Sequence, residues 1–380
     1  MTERLARAAL SRLWEPGDLR LSRLVARHGA GTVYELLREE RDVGGALTDV
    51  AARLRGVDPQ HELEAAKAQG IRFVCPGDEE WSGSLDDLDR AEPLQGRGGT
   101  PVGLWVKGRR RLDEACASAA AVVGSRSATT YGAAVASDVS AHLADHGTTV
   151  VSGAAFGIDQ AAHRGALAAK GVTVAVLACG VDRAYPSAHR ALLDYIADTG
   201  LVVSEAPPGC APTRVRFLAR NRLIAALGRG TVVVEAAVRS GALNTASWTS
   251  RLNRVLMGVP GPVTSAPSEG VHDLIRSRGA ALVTCGEDVL ELISPSGSFV
   301  SEVPRAPALP EDSLDDPERQ VLDGVPVVRP AMPDSIARVA GVSEATARTA
   351  MSRLRALGLV EETSEGWRRT SSSAGAAPRP

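Results

Sequence analysis

The stretches VVGSR (Val122–Arg126), VVSGAAFGID (Val150–Asp159), VAVLACG (Val174–Gly180) and VVVEAAVRSGALNTA (Val232–Ala246) repeat one device. A short apolar run ends in a small, glycine-bearing turn, and helix-like residues follow. Runs of Val, Ala and Leu without polar alternation suit strands buried on both faces, which means a parallel sheet with helices on either side. Ligands of such sheets sit at the carboxyl ends of the strands, where these turns lie. Small residues there let backbone N–H groups approach an anion, and the following helix N-terminus adds partial positive charge. The pattern therefore points to a phosphate-bearing ligand. At this level it leaves open a nucleotide, a dinucleotide or a nucleic-acid strand.

Outward from these turns, strand and helix alternate down to Ile293, which predicts an α/β fold with a doubly wound, mostly parallel sheet. Expected strands are 120–123, 201–205, 231–234 and 255–259; expected helices are 109–119, 132–146, 159–170, 217–227 and 244–254. The stretches from Gly70 through Gly108 read as short strands and turns leading into the sheet. Residues 1–62 read as short helices, LARAALSRLW, LRLSRLVARHG, TVYELLREE and VAARLRG, with breaks at Pro16, Gly29 and Gly31. The main unit spans 65–293. Residues 294–316, rich in Ser, Pro and acids, read as a linker. In 317–370 a short helix (334–340), a turn at Gly341 and Val342, a longer helix (343–357) and a hairpin through Gly366 describe a winged helix-turn-helix. Residues 371–380 read as a disordered tail.

At 380 residues and 44% hydrophobic content the chain can build two or three domains, and it is not a disordered protein. Its formal charge of −2 gives no global basic signature, so a nucleic-acid surface must come from local clustering. Five cysteines without C-x-x-C spacing argue against a disulfide framework or a zinc site, and for a reducing compartment. The start, MTERLARAALSRLWEPGD, lacks the apolar core of a signal peptide, and no run reaches the length of a membrane span. A cytoplasmic protein without membrane association is the expectation.

Local clustering does occur. TRVRFLARNR (Thr213–Arg222) gathers Arg214, Arg216, Arg220 and Arg222 around Phe217, in a chain with only four Phe. Arginines beside one exposed ring suit single-stranded nucleic acid, the ring stacking on a base and the cations meeting the backbone. A core role for Phe217 is the bland alternative, and the density of arginine weighs against it. Arg126, just past a strand end, suits a bidentate phosphate contact or a surface pairing with a carboxylate. Ser152 and Gly153 repeat that arrangement one strand away. Ser240, Gly241, Asn244 and Thr245 open a helix, which fits N-capping or phosphate contact. Asp159 and His163 lie four apart, but metal ligation needs a third partner that the spacing does not show, so a helix N-terminal acid with a structural histidine is preferred. Glu235 suits either a ribose hydroxyl or a structural pairing with Arg220 or Arg222. No nucleophile–base pair, Walker A lysine or G-x-G-x-x-G stands out, which weighs against a nucleotide-hydrolysing or dinucleotide-dependent enzyme. No cofactor and no metal are expected.

The ordered series VGSR…YG, SGAAFGIDQAAHRGAL, GVTVAVLACGVDRAYP, GLVVSEAPPG, FLARNRLIAAL, VVVEAAVRSGALNTA and VPGPVTSAPSEGVHDLIRSRGAALV resembles the DNA-processing protein family DprA, also called Smf, over roughly residues 70–293. The resemblance implies an extended Rossmann-like core without established catalytic activity, typically dimeric. It implies a preceding helical domain, sterile-alpha-motif-like or helix-hairpin-helix-like, and a following winged helix. It further implies a protein that binds incoming single-stranded DNA during natural transformation, protects it, and loads the RecA recombinase. Carried over, the DNA pocket falls on Gly124, Ser125, Arg126, Ser152, Gly153, Phe217, Arg220, Asn221, Arg222, Ser240, Gly241 and Thr245, with Arg214 extending the strand's path. Leu218 stands where the family usually has proline. Two rivals remain: a Rossmann-like nucleotide phosphoribohydrolase using Glu235 and SGALNTA, which lacks the expected Pro-Gly-Gly turn, and a winged-helix transcription regulator.

Overall fold

A computed structural model describes residues 2–39, 50, 54, 56–299 and 309–370. The expected helix over VAARLRG, apart from Val50, Leu54 and Gly56, lies outside the described residues, as do linker residues 300–308 and the tail from 371. The chain divides into two compact units, Met1–Ser301 and Glu302–Pro380.

The first unit opens with α1 (Glu3–Leu13), α2 (Leu19–His28), α3 (Ala30–Arg38) and α4 (Pro59–Ala68). The boundaries follow local chemistry. Asp18 caps α2, accepting from the Arg20 amide, and Asp58 caps α4, accepting from the amides of Gln60 and His61 with Pro59 at the first helical position. α1 turns Ala6, Ala9, Leu10 and Leu13 toward a small core with Leu21, Val25, Val33 and Leu37, the helical spacing of one apolar stripe.

The sheet strands are β1 (Ile71–Val74), β2 (Leu104–Lys107), β3 (Ala119–Val123), β4 (Thr149–Ser152), β5 (Thr173–Leu177), β6 (Leu201–Ser204), β7 (Gly230–Val233), β8 (Val255–Gly258) and β9 (Ala281–Leu282). Between them lie α5 (Leu112–Cys116), α6 (Thr130–Asp145), α7 (Ile158–Ala168), α8 (Arg190–Thr199), α9 (Arg214–Leu227), α10 (Ala242–Arg251), α11 (Ala266–Arg278) and α12 (Gly286–Ile293). The strand order is β1-β2-β6-β5-β4-β3-β7-β8-β9. From β6 to β9 every pair is parallel, and β2 runs against both neighbours. β1 and β2, expected to lead into the sheet, are members of it. The helix expected over 109–119 is only Leu112–Cys116, because Ala119 already pairs with Thr149 as the first residue of β3.

Every residue of β3, β4, β5, β6 and β7 is buried, as their unbroken apolar runs require. Alternate residues feed two cores. Ala119, Ala121 and Val123 pack with Leu223 and Leu227 of α9 and Trp248 of α10; Ala120 and Val122 pack with Val139 and Leu143 of α6 and Ile158 and Ala162 of α7. Among the described residues no helix is long and apolar enough to cross a membrane.

The second unit holds α13 (Asp316–Gly324), α14 (Pro333–Ala340), α15 (Glu344–Ala356), β10 (Val360–Thr363) and β11 (Gly366–Arg369), the last two paired antiparallel. Asp315 and Glu318 form a capping box on α13, Gly341 ends α14 in the left-handed conformation at φ 69°, and Ser343 caps α15. Val321, Ile336, Ala347, Met351 and Leu354 form its core.

In the first unit a buried ion pair joins the N-terminal helices to the sheet. Both Glu205 carboxylate oxygens accept from Nη2 of Arg222 at 2.7 Å, and Oε1 also accepts from the Gly17 amide at 3.2 Å. The Arg222 side chain has no exposed surface. Arg222→Met leaves the Glu205 charge buried without its cation and lowers the unfolding free energy by about 3–5 kcal/mol. Adding Glu205→Leu recovers at least half of that loss in urea denaturation; a single-variant loss below about 1 kcal/mol contradicts this account.

Candidate nucleic-acid interface

The chain builds β3 to β6 outward on one side and returns to place β7 on the other side of β3. The loops after β3 and β7 therefore depart in opposite directions, and a crevice opens at that switch point. A cavity of about 730 Å³ occupies it. Gly124, Ser125 and Arg126 after β3, Arg239, Ser240, Gly241 and Thr245 after β7, and Arg214, Phe217, Arg220 and Asn221 of α9 all line it.

Glu235 holds the two loops together. Its backbone oxygen accepts from the Ser125 amide at 2.7 Å, and its carboxylate accepts from the Thr129 hydroxyl at 2.5 Å and the Thr129 amide at 3.0 Å. Thr129 in turn caps α6 through the Gly132 amide. A Cβ on Gly132 would lie 2.3 Å from the Glu235 carboxyl carbon, so glycine is required there for the carboxylate to fit. Glu235 thus has the structural role, with Thr129 as its partner and not Arg220 or Arg222.

The glycines of the turns serve packing more than ligand approach. A Cβ on Gly124 would meet the Ile158 side chain at 2.5 Å, and one on Gly157, at φ 78°, would meet the Ser125 oxygen at 2.3 Å. Gly241 is different. Nothing lies within 4 Å of where its Cβ would be, and it stands at the exposed start of α10. Asn221 donates from Nδ2 to Asn244 Oδ1 at 3.2 Å, which fixes α9 against that helix start.

The arginines of α9 divide. Arg222 is committed to Glu205 and Arg216 to Glu15 at 2.7 Å, so neither is a free cation. Arg220 is buried, donates from Nη1 to the Val176 oxygen at 2.6 Å, and presses on Gly153, where a Cβ would lie 1.9 Å from that nitrogen. Burial pushes its guanidinium down to about 10, against the opposing pull of Asp159, so it stays cationic at neutral pH. Arg214 is exposed. Ser152 is buried with its hydroxyl donating to the Val122 oxygen at 2.6 Å. Ser152, Gly153 and Arg222, expected in the pocket, are therefore not among its lining residues; each is consumed by the interior.

Three cations remain at the cavity: Arg126, Arg214 and Arg239. Among the described residues none of them has a carboxylate within ion-pair distance, and Asp159 is the one acid lining the site. Asp159 is buried and accepts from the Gly153 amide at 3.2 Å; burial raises its carboxyl above the ordinary value, against the pull of Arg220 and three backbone amides. Phe217 is half-buried, with the Arg126 guanidinium 4.7 Å from its ring centroid. Arg126 is exposed, and a cation over a ring face is attracted by its quadrupole, at an exposed site by about 0.5–1 kcal/mol. Sequence reasoning missed Tyr185 and Arg239. Both lie inside quoted motifs, but their convergence on Phe217 and Arg214 depends on which crossover returns where.

His163, expected to be structural, is buried with Nδ1 2.7 Å from the Thr173 hydroxyl. Burial, with the nearby charges of His189 and Arg220 adding to it, pushes the imidazole down to about 3. Among the described residues no group of three His, Cys, Asp or Glu is placed to hold a metal ion.

Residues 72–294 match the family described as DNA recombination-mediator protein A. The chain is 43% identical over 376 residues, 97% of its own length and 95% of the relative's, to a Mycobacterium tuberculosis protein that carries the name DNA processing protein DprA. It is 38% identical over 224 residues, 56% of its length and 59% of the relative's, to the protein Smf of Escherichia coli. The X-ray structure of DNA processing protein A from Streptococcus pneumoniae superposes with a TM-score of 0.63 and 32% identity, covering 80% of this chain and 99% of that one.

The His163 shift has a pH consequence. The unfolded chain binds a proton there near pH 6.5, whereas the folded imidazole stays neutral down to about 3. Between those values the unfolded state holds more protons, so this histidine subtracts stability as the pH falls, about 2 kcal/mol from about pH 7 to about pH 5. Asp159, shifted upward, acts with the opposite sign. Denaturation midpoints across that range should fall more steeply for the wild-type chain than for His163→Gln; coincident slopes contradict the assignment.

Proposed function

The chain belongs to the DNA recombination-mediator protein A family, and on that premise we propose that it is a single-strand DNA-binding recombination mediator. It protects incoming DNA and loads RecA during natural transformation, working in the cytoplasm as a homodimer and by binding, not by catalysis. The observation that carries this reading is three arginines lining the switch-point cavity, none with a carboxylate in ion-pair distance among the described residues, one of them over a half-buried phenylalanine. Cations there suit phosphates. A ring suits a base that has left its stack, which favours a single strand over a duplex.

In this reading Arg126, Arg214 and Arg239 neutralise backbone phosphates, the open start of α10 at Ser240, Gly241 and Thr245 receives another, and a base packs at Phe217. Gly124, Ser125 and Asn221 shape the walls. Arg220 acts as a positioning residue beneath Phe217. The helices before Gly70 form a sterile-alpha-motif-like or helix-hairpin-helix-like module, and α14, α15 and the β10–β11 hairpin form a winged helix-turn-helix that contacts DNA or a partner. RecA is recruited by a surface apart from the cavity. The phosphoribohydrolase alternative is disfavoured because the Glu235 carboxylate is engaged by Thr129.

Arg126→Ala and Phe217→Ala should each weaken binding of the full chain to an oligothymidine by roughly ten-fold, with thermal melting unchanged. Loss of Arg126 should also make the salt dependence shallower by about 0.7 in log–log slope, the signature of one lost phosphate contact on a single strand. Fluorescence anisotropy across a salt series reads both; two folded variants that bind as the wild type does would sink the assignment.

A further inference from the structure

We propose that Tyr185 is a second base-stacking residue, so that the cavity takes two successive, splayed bases of a strand, one at Phe217 and one at Tyr185. The proposal rests on the single-strand reading above and adds a residue and a register to it.

The two rings lie 5.6 Å apart between centroids and are tilted by 56°. One planar base cannot lie flat on both faces at that angle. Two bases pulled out of their stack can each take one face, which single-strand recognition favours because every base presents a π-face. Phe217 is half-buried and already carries Arg126 over its ring. Tyr185 is 44% exposed, and among the described residues no cation covers it and its hydroxyl makes no hydrogen bond. It is a partly exposed ring on the cavity lining, in a chain whose aromatic content is 3%.

The loop that carries Tyr185 is fastened on both sides. The Gly180 amide donates to the Cys210 oxygen at 3.0 Å, and the Asp182 carboxylate accepts from the Gly209 amide at 2.9 and 3.0 Å. The Arg183 amide donates to the Gly180 oxygen at 3.0 Å and the His189 amide to the Pro186 oxygen at 2.9 Å. A ring on a fixed loop loses little freedom when a base stacks on it, so more of the contact energy appears as affinity.

The test uses the full chain, an oligothymidine, and an oligonucleotide of the same length in which the bases are absent. Tyr185→Ala should weaken binding of the oligothymidine by roughly ten-fold, Tyr185→Phe should stay within about two-fold, and neither should change binding of the abasic strand. Photocrosslinking of an iodouracil-substituted strand to the wild-type chain, read by peptide mass spectrometry, should mark Tyr185 without any variant. Equal affinity of Tyr185→Ala and wild type for the oligothymidine, or an equal loss on both strands, overturns the stacking role. So does a crosslink map that lacks Tyr185. A wild-type chain that binds neither strand overturns the single-strand reading as well.

Discussion

The carboxylate of Glu235 is the constraint on which the site depends. A parallel sheet that reverses its winding direction leaves two loops with no reason to stay near each other, and here those loops carry Arg126 on one side and Arg239 on the other. Glu235 sits at the end of β7 and closes on Thr129 beyond β3, with its own backbone oxygen on Ser125. Gly132 must lack a side chain for that closure, and Gly124 and Gly157 must lack one for the neighbouring turns to nest. The small residues are therefore a condition for loops to pack against loops. The cavity is what remains between them.

Helix α9 supplies the wall, and its unusual character explains the electrostatics. All of its last nine residues are buried, three polar ones among them, so it is a core helix carrying arginines through the interior. Such cations need partners. Arg222 has Glu205, Arg220 has a carbonyl and the nearby Asp159, and Arg216 reaches Glu15 at the surface. Only Arg214, at the first turn, is left to the solvent. The positive field at the cavity comes from three different loops and helix ends, not from one basic helix face.

Much of the fold was legible because burial on both faces removes polar alternation, and the runs in β3, β4, β5, β6 and β7 show this directly. The helices expected over 132–146 and 217–227 begin earlier, at Thr130 and Arg214, because Thr129 and Thr213 cap them. The short helix α5 was overextended, since Ala117 to Ala119 suits helix or strand equally and pairing with β4 decides it. The antiparallel member β2 was not distinguished, as direction is set by a partner far along the chain. For the site, Arg126, Arg214, Phe217, Asn221 and the α10 start were read from local pattern. Ser152, Gly153 and Arg222 do not line the cavity, because whether a polar residue faces it depends on partners such as Glu205 and Val122 that no local pattern reveals. Tyr185 and Arg239 were overlooked for the same reason in reverse.

The proposed path of the single strand runs through the switch-point cavity. Hydrogen–deuterium exchange of the full chain, with and without a saturating single-stranded oligonucleotide, tests it most directly, since it reports on every segment at once and needs no variant. A strand lying there slows exchange in residues 124–129, 213–221 and 237–245 together. Protection confined to residues 316–370, with those three segments unchanged, would contradict it.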